Sequence, residues 1–227
     1  MAITTCIFDA YGTLFDVASA ARLAAGEPGR DALAGCWKAL SEDWRLKQLQ
    51  YTWLRAITGE HGPFWTVTQD GLDWALERHG LDGDPELRER LLALYWELAA
   101  YPEVAQMLAT LKARGKTCAI LSNGNPDMLD GAVDSAGIEL WLDAVLSAET
   151  VQIFKPAARV YDLVGQRFGC SREEVLFISS NGWDVSGAAR YGFTTAWVNR
   201  SGDPVDRLPH RPAHILKDLV TIPDLAN

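Results

Sequence analysis

An aspartate closing an apolar run, a lysine set before a proline, and two short polar clusters are the residues of this chain with evident chemical capacity. Asp9 follows the run at residues 3–8 and precedes Gly12 within FDAYGTLFD. A carboxylate at a strand end, with the N–H groups of a glycine turn aimed at it, can serve as a nucleophile. The same local sequence could equally make an Asx turn or cap a helix. Further along come Leu121-Ser122-Asn123-Gly124, Phe154-Lys155-Pro156 and Ser179-Ser180-Asn181-Gly182-Trp183-Asp184. Lys155 can keep a nearby carboxylate ionised by a short charge contact. The histidines at 61, 79, 210 and 214 fit no catalytic spacing and are expected on surface turns or helix ends.

Hydrophobic spacing gives the elements that must position these residues. Residues 3–8 read as a buried strand feeding a tight loop, with Asp9 at its carboxyl end. From about residue 19 to 100 the period is helical. Leu33, Trp37, Leu40 and Trp44 recur as one helix face, and Leu87, Leu91, Leu94, Tyr95 and Leu98 as another. Asp84-Pro85-Glu86 starts the later helix with an N-cap, a first-turn proline and an acid favoured by the helix dipole. Six of the nine tryptophans lie between residues 37 and 96, giving this segment its own aromatic core.

After Tyr101-Pro102 the spacing predicts a helix stopped by Gly115, a strand at 116–121 and a helix from about Pro126. A strand at 144–146, a helix around 157–168 and strands at 175–179 and 194–199 follow. Strands alternating with helices predict an α/β fold with a Rossmann-like parallel sheet covered on both faces. The helical segment interrupts that alternation after the first strand. It is read as an inserted all-helical cap domain, residues 16–99, on an α/β core domain made of 1–15 and 100–227. Ligands of such sheets bind beyond the carboxyl ends of the strands, where Asp9, Ser122, Asn123 and Ser179 to Asn181 would all fall.

Composition narrows the partners. The 227 residues are 48% hydrophobic and carry a net charge of −9, from 21 Lys+Arg against 30 Asp+Glu. An acidic surface without a basic run disfavours nucleic acid and anionic membranes. A chain of this length can bury roughly 70% of its unfolded surface and needs no disulfide or structural metal. Cys6, Cys36, Cys118 and Cys170 show no CxxC spacing, so a reduced, cytoplasmic protein is expected. The start MAITTCIFDAYG lacks a basic n-region, and no apolar stretch of about 18 residues suggests a membrane span.

In order, FDAYGTLFD, LSNG, FKP and SSNGWD, with a helical insert between the first two, resemble the haloacid dehalogenase superfamily over essentially the whole chain. Most members are magnesium-dependent phosphatases, with a second Asp two residues after the nucleophile and an acidic metal ligand after a Gly in the fourth motif. Here Tyr11 and Ser179-Ser180 stand at those places. Tyrosine is no carboxylic acid near neutral pH, and without proton donor and metal ligand most of the apparatus of phosphoryl transfer is gone. Tyr11 in DAYGT, Trp44-Arg45, KQLQYTWLRA, SNG followed by PDML, and SSNGWD are similar to the L-2-haloacid dehalogenase branch.

That resemblance implies a metal- and cofactor-free hydrolysis of short (S)-2-haloalkanoic acids to (R)-2-hydroxy acids. Asp9 would attack C2 opposite the halogen, and water would then cleave the aspartyl ester. It implies Arg45 and Asn123 for the halide, Ser122 with backbone N–H groups for the substrate carboxylate, and Thr13 supporting the nucleophile. Tyr161 and Ser179 would fix Lys155 and Asp9, and Asp184, beside Asn181, would position and activate water. Tyr11, Leu49, Phe64 and Trp183 would line an apolar pocket, and Leu46 stands where related enzymes often carry a polar residue. A homodimer is expected. The alternatives are a magnesium-dependent phosphatase of the same superfamily and a binding protein without turnover.

Overall fold

The computed structural model describes residues 2–226. Strand β1 (Thr5–Phe8) is followed by five helices: α1 (Ser19–Ala25), α2 (Asp31–Ala34), α3 (Trp37–Thr58), α4 (Phe64–Arg78) and α5 (Pro85–Trp96). Then α6 (Val104–Ala113), β2 (Thr117–Ser122), α7 (Pro126–Ala136), β3 (Ala144–Ser147), α8 (Ala158–Phe168), β4 (Val175–Ser179), α9 (Gly182–Tyr191) and β5 (Thr194–Val198) alternate. A short β6 (His214–Leu216) and α10 (Ile222–Leu225) end the described chain.

The six strands form one parallel sheet in the order β3-β2-β1-β4-β5-β6, the α/β arrangement expected from the alternation. All four side chains of β1 are buried, as a central strand covered on both faces requires. Successive residues face opposite sides: Cys6 and Phe8 join the core under α6 and α7, and Ile7 joins Tyr161, Val164 and Ala188 under α8 and α9. Each fully buried apolar side chain of this kind stabilises the fold by about 1.5–3 kcal/mol. Phe8 pairs with Ile120 on one side and Ile178 on the other, so Asp9 emerges between the ends of β2 and β4. Strand order reverses there, which opens a crevice for ligands.

The chain leaves the sheet at Phe15 and returns at Ala100, and these two residues bridge each other. Asp16 N donates to Ala99 O at 2.9 Å and Tyr101 N to Leu14 O at 2.9 Å, so the two connections run side by side. Helices α3 and α4 pack closely because Gly71 has no side chain: a Cβ there would lie 3.1 Å from Gln48 N. Asp84 caps α5 as anticipated, accepting a hydrogen bond from Leu87 N at 2.8 Å.

Local readings are corrected in four places, the first at Leu98, which lies past the end of α5 at Trp96. Leu33 and Trp37 do not share a helix, because Gly35 caps α2 and α3 begins afresh after Cys36. Glycine favours such an end, since it loses the most freedom inside a helix. Strand β1 begins at Thr5 instead of residue 3. His214 lies in β6, which was not anticipated: three residues with an outward Ile215 give too short a run for an alternating pattern to register.

Candidate active site

Asp9 is almost entirely enclosed, and its two oxygens have different neighbours. Oδ2 accepts from Thr13 Oγ1 at 2.9 Å, Asn181 Nδ2 at 2.9 Å and Ser179 Oγ at 3.4 Å. Oδ1 faces Lys155 Nζ at 3.2 Å. The turn after β1 supplies Thr13, and the end of β4 supplies Ser179 and Asn181. Ser180 N in turn donates to Thr13 Oγ1 at 2.8 Å, fixing the hydroxyl so that its proton points at Asp9. With Oδ2 engaged by three donors, Oδ1 is the oxygen left with an available lone pair.

Lys155 is 1% exposed and bridges two carboxylates, reaching Asp184 Oδ2 at 2.8 Å as well as Asp9. Burial alone would lower its pKa, but the charges of Asp184 and Asp9 outweigh that and raise it above the ordinary lysine value. Asp184 is fully enclosed in the first turn of α9, and Tyr161 donates to its Oδ1 at 2.7 Å. Burial raises the Asp184 pKa and Asp9 adds to the rise, while Lys155 opposes both. Asn123 Oδ1 accepts from Lys155 N at 2.8 Å, which turns the amide so that its NH₂ donors are uncommitted to that bond. Ser122 Oγ accepts from Gly124 N at 3.1 Å, at the end of β2.

From the helical segment, Arg45 on α3 reaches over to the sheet. Its Nη2 donates to Tyr11 O at 3.0 Å and to Asn181 Oδ1 at 3.4 Å, and Nη1 donates to Gln48 Oε1 at 2.7 Å. Among the described residues no carboxylate is paired with it. Gln48 is itself held by Thr68 Oγ1 at 2.7 Å and Tyr95 Oη at 3.1 Å, so α4 and α5 jointly aim the guanidinium. Sequence reading missed Gln48 and Tyr95, and gave Ser180, which it set at the strand ends, no role. The i, i+3 spacing of Arg45 and Gln48 on one helix face was the available signal for the first.

Tyr11 and Phe64 lie together, with ring centroids 5.8 Å apart, and Tyr95 stacks on Tyr11 at 5.6 Å. Leu49, one turn after Arg45, is half-buried. Trp183 stands apart from this group: it meets Trp53 edge-on at 5.4 Å and lines an outer apolar groove of about 690 Å³ with Phe154, Pro156 and Leu208. Leu46 points to solvent, so its apolar character does not shape the site. Among the described residues no three His, Cys, Asp or Glu side chains converge as a metal-binding group would require.

Among the described residues the carboxylate at the switch point of the parallel sheet is bridged by a buried lysine and hydrogen-bonds to no histidine, in the α/β class of fold with its ligand crevice at Asp9. The chain belongs to the haloacid dehalogenase-like hydrolases, whose family model matches residues 3–192, and within them to the (S)-2-haloacid dehalogenase branch. It is 42% identical to (S)-2-haloacid dehalogenase 1 of Pseudomonas sp. (strain CBS-3) over 98% of this chain and 96% of that protein. Its structure matches that of the L-2-haloacid dehalogenase RSc1362 with TM-score 0.93 and 40% identity, covering 100% of this chain and 99% of the other. It also matches the L-2-haloacid dehalogenase of Xanthobacter autotrophicus with chloropropionic acid covalently bound, at TM-score 0.86 and 37% identity, covering 98% of each chain.

Proposed function

We propose that this protein hydrolyses short (S)-2-haloalkanoic acids to (R)-2-hydroxy acids with inversion at C2, through an ester on Asp9 and without a metal. The observation that carries this reading is Arg45, a cation aimed at the residues holding Asp9 yet paired with no carboxylate among the described residues. An alkyl halide has no carbonyl to polarise, so displacement at carbon depends on alignment, a desolvated nucleophile and stabilisation of the departing anion. Arg45 and the Asn123 amide serve that last need. Ser122 and backbone N–H groups beyond Asp9 hold the substrate carboxylate, while Tyr11, Leu49 and Phe64 surround the alkyl group, with Trp183 at the outer edge. The covalently bound chloropropionic acid in the Xanthobacter relative supports an ester intermediate.

In the first step Asp9 Oδ1 bonds to C2 and the halide departs with the C–X electron pair. Thr13, Ser179 and Asn181 keep Oδ2 in place meanwhile. In the second, water adds to the ester carbonyl carbon. Asp184 takes its proton: each of its oxygens accepts one side-chain hydrogen bond and retains a second acceptor site, and burial raises its proton affinity. The residues present do not fit the magnesium ion of related phosphatases, because Ser180 stands where their fourth motif carries an acidic ligand and, among the described residues, no three acidic, imidazole or thiol side chains converge. Four free cysteines support a reducing, cytoplasmic setting, and the branch resemblance supports a homodimer, which light scattering would test.

The deciding assay is halide release from (S)-2-chloropropionate with EDTA present, together with chiral analysis of the lactate. Full activity and (R)-lactate are expected. Magnesium-dependent hydrolysis of a phosphate ester with no halide release would overturn the reading. A single turnover in ¹⁸O-water should label Asp9 and leave the hydroxy acid unlabelled.

A further inference from the structure

We propose that the Tyr11 hydroxyl is a catalytic hydrogen-bond donor to the halide as it leaves, an assignment that rests on the dehalogenase reading above. Tyr11 is 2% exposed, and its Oη has no hydrogen-bond partner among the described residues. Buried hydroxyls are nearly always satisfied, so an orphan beside a reactive group needs a reason. The ring cannot swing away to find a partner. Phe64 and Tyr95 stack on it, its backbone oxygen is tied to Arg45, and a Cβ on Gly124 would come within 2.9 Å of Tyr11 Cε2. The ring is therefore fixed against Gly124, just past the end of β2, and the hydroxyl is close enough to Asp9 and Arg45 to feel both charges.

The chemistry at this point calls for a neutral donor. As Asp9 Oδ1 bonds to C2, the C–X pair passes to the halogen and negative charge grows in a largely apolar space. A hydrogen bond from Tyr11 stabilises that charge without proton transfer; the O–H bond stays intact, since a halide ion is too weak a base to take the proton. Burial holds the phenol well above its ordinary pKa, so it remains a donor across the working pH range. Arg45 supplies a point charge, Asn123 amide protons and Tyr11 a directional O–H, three complementary ways of receiving an anion.

The test is Tyr11→Phe, which keeps the ring and its stacking while removing the oxygen. Single-turnover ester formation on Asp9 is measured with 2-chloro-, 2-bromo- and 2-iodopropionate. The expected loss is about tenfold or more for chloride, the strongest acceptor of the three, falling progressively through bromide to iodide. An equal loss with all three, or no loss, would overturn the proposal, because a packing role has no preference among leaving groups. If the unsubstituted enzyme forms no ester with any of them, the dehalogenase reading itself falls.

Discussion

Lys155 faces no solvent: its ammonium lies 3.2 Å from Asp9 and 2.8 Å from Asp184, and each of the three charges depends on the other two. Replacing it by Met would leave two buried carboxylates without a counter-ion, at a cost of about 3–5 kcal/mol in urea unfolding and with loss of turnover. The pH dependence has a definite sign. The folded-state pKa of Lys155 is raised, so its contribution is complete below the unfolded value near 10.5 and is lost as pH rises through the folded value. Wild type should therefore lose more stability than Lys155→Met between pH 9 and 12. For the same reason no alkaline limb of kcat/KM below about pH 10.5 belongs to this group. Asp184→Asn separates two roles: if Asp184 takes the proton of water, mass spectrometry finds ester accumulating on Asp9. Slow ester formation without accumulation would mean that it only orients Lys155. Asp9 and Lys155 were legible in the sequence because each carries a local signature, a strand end or a flanking proline. Gln48 offered only its i, i+3 spacing from Arg45, and the role of the Ser180 backbone N–H depends on Thr13, far off in the chain.

At the scale of elements, one side chain braces the sheet side of the joint with the helical segment. Arg200, just beyond β5, donates to Glu103 Oε1 at 2.7 Å and to Thr13 O at 3.2 Å, and lies 3.6 Å from the Tyr101 ring centroid. It thus ties the turn that presents Thr13 to Asp9 to the point where the chain re-enters the sheet. Arg200→Ala should cost about 1.5–3 kcal/mol in urea unfolding, the worth of charge-assisted hydrogen bonds. It should also lower kcat more than KM, because Thr13 loses its support; equal kinetics in the two proteins would deny the link. The alternation of helices and strands gave the sheet away, since short continuous apolar runs, buried on both faces, stand out between longer segments with a period near 3.6. The α2–α3 break was hidden because a stripe can keep its phase across a two-residue interruption. Nothing at position 200 marked the arginine.

For the whole molecule, the site is electrically balanced: Asp9 and Asp184 against Lys155 and Arg45. The net charge of −9 is a property of the exterior. That exterior repels an anionic substrate, and salt screens the repulsion over about 10 Å at 0.1 M, while pairs enclosed as these are remain largely unscreened. In potassium sulfate, chosen to avoid halide, KM should stay level or fall between 50 and 500 mM. A rising KM would mean that an exposed cationic patch captures the substrate. Composition alone could not separate these layers, because it averages surface and interior.

The pairing of Phe15 with Ala100 carries a different consequence. Where a segment leaves and rejoins a sheet through adjacent, hydrogen-bonded positions, its length and content are free of the sheet's geometry. Residues 16–99 should then be exchangeable as a single cassette, with the bond-forming Asp9 on one side of the seam and, on the other, the helices that bring Arg45 over it and decide what reaches it. A chimera bearing the helices of another dehalogenase, with an arginine at the place of Arg45, should still take an ester onto Asp9 while changing which acids it accepts.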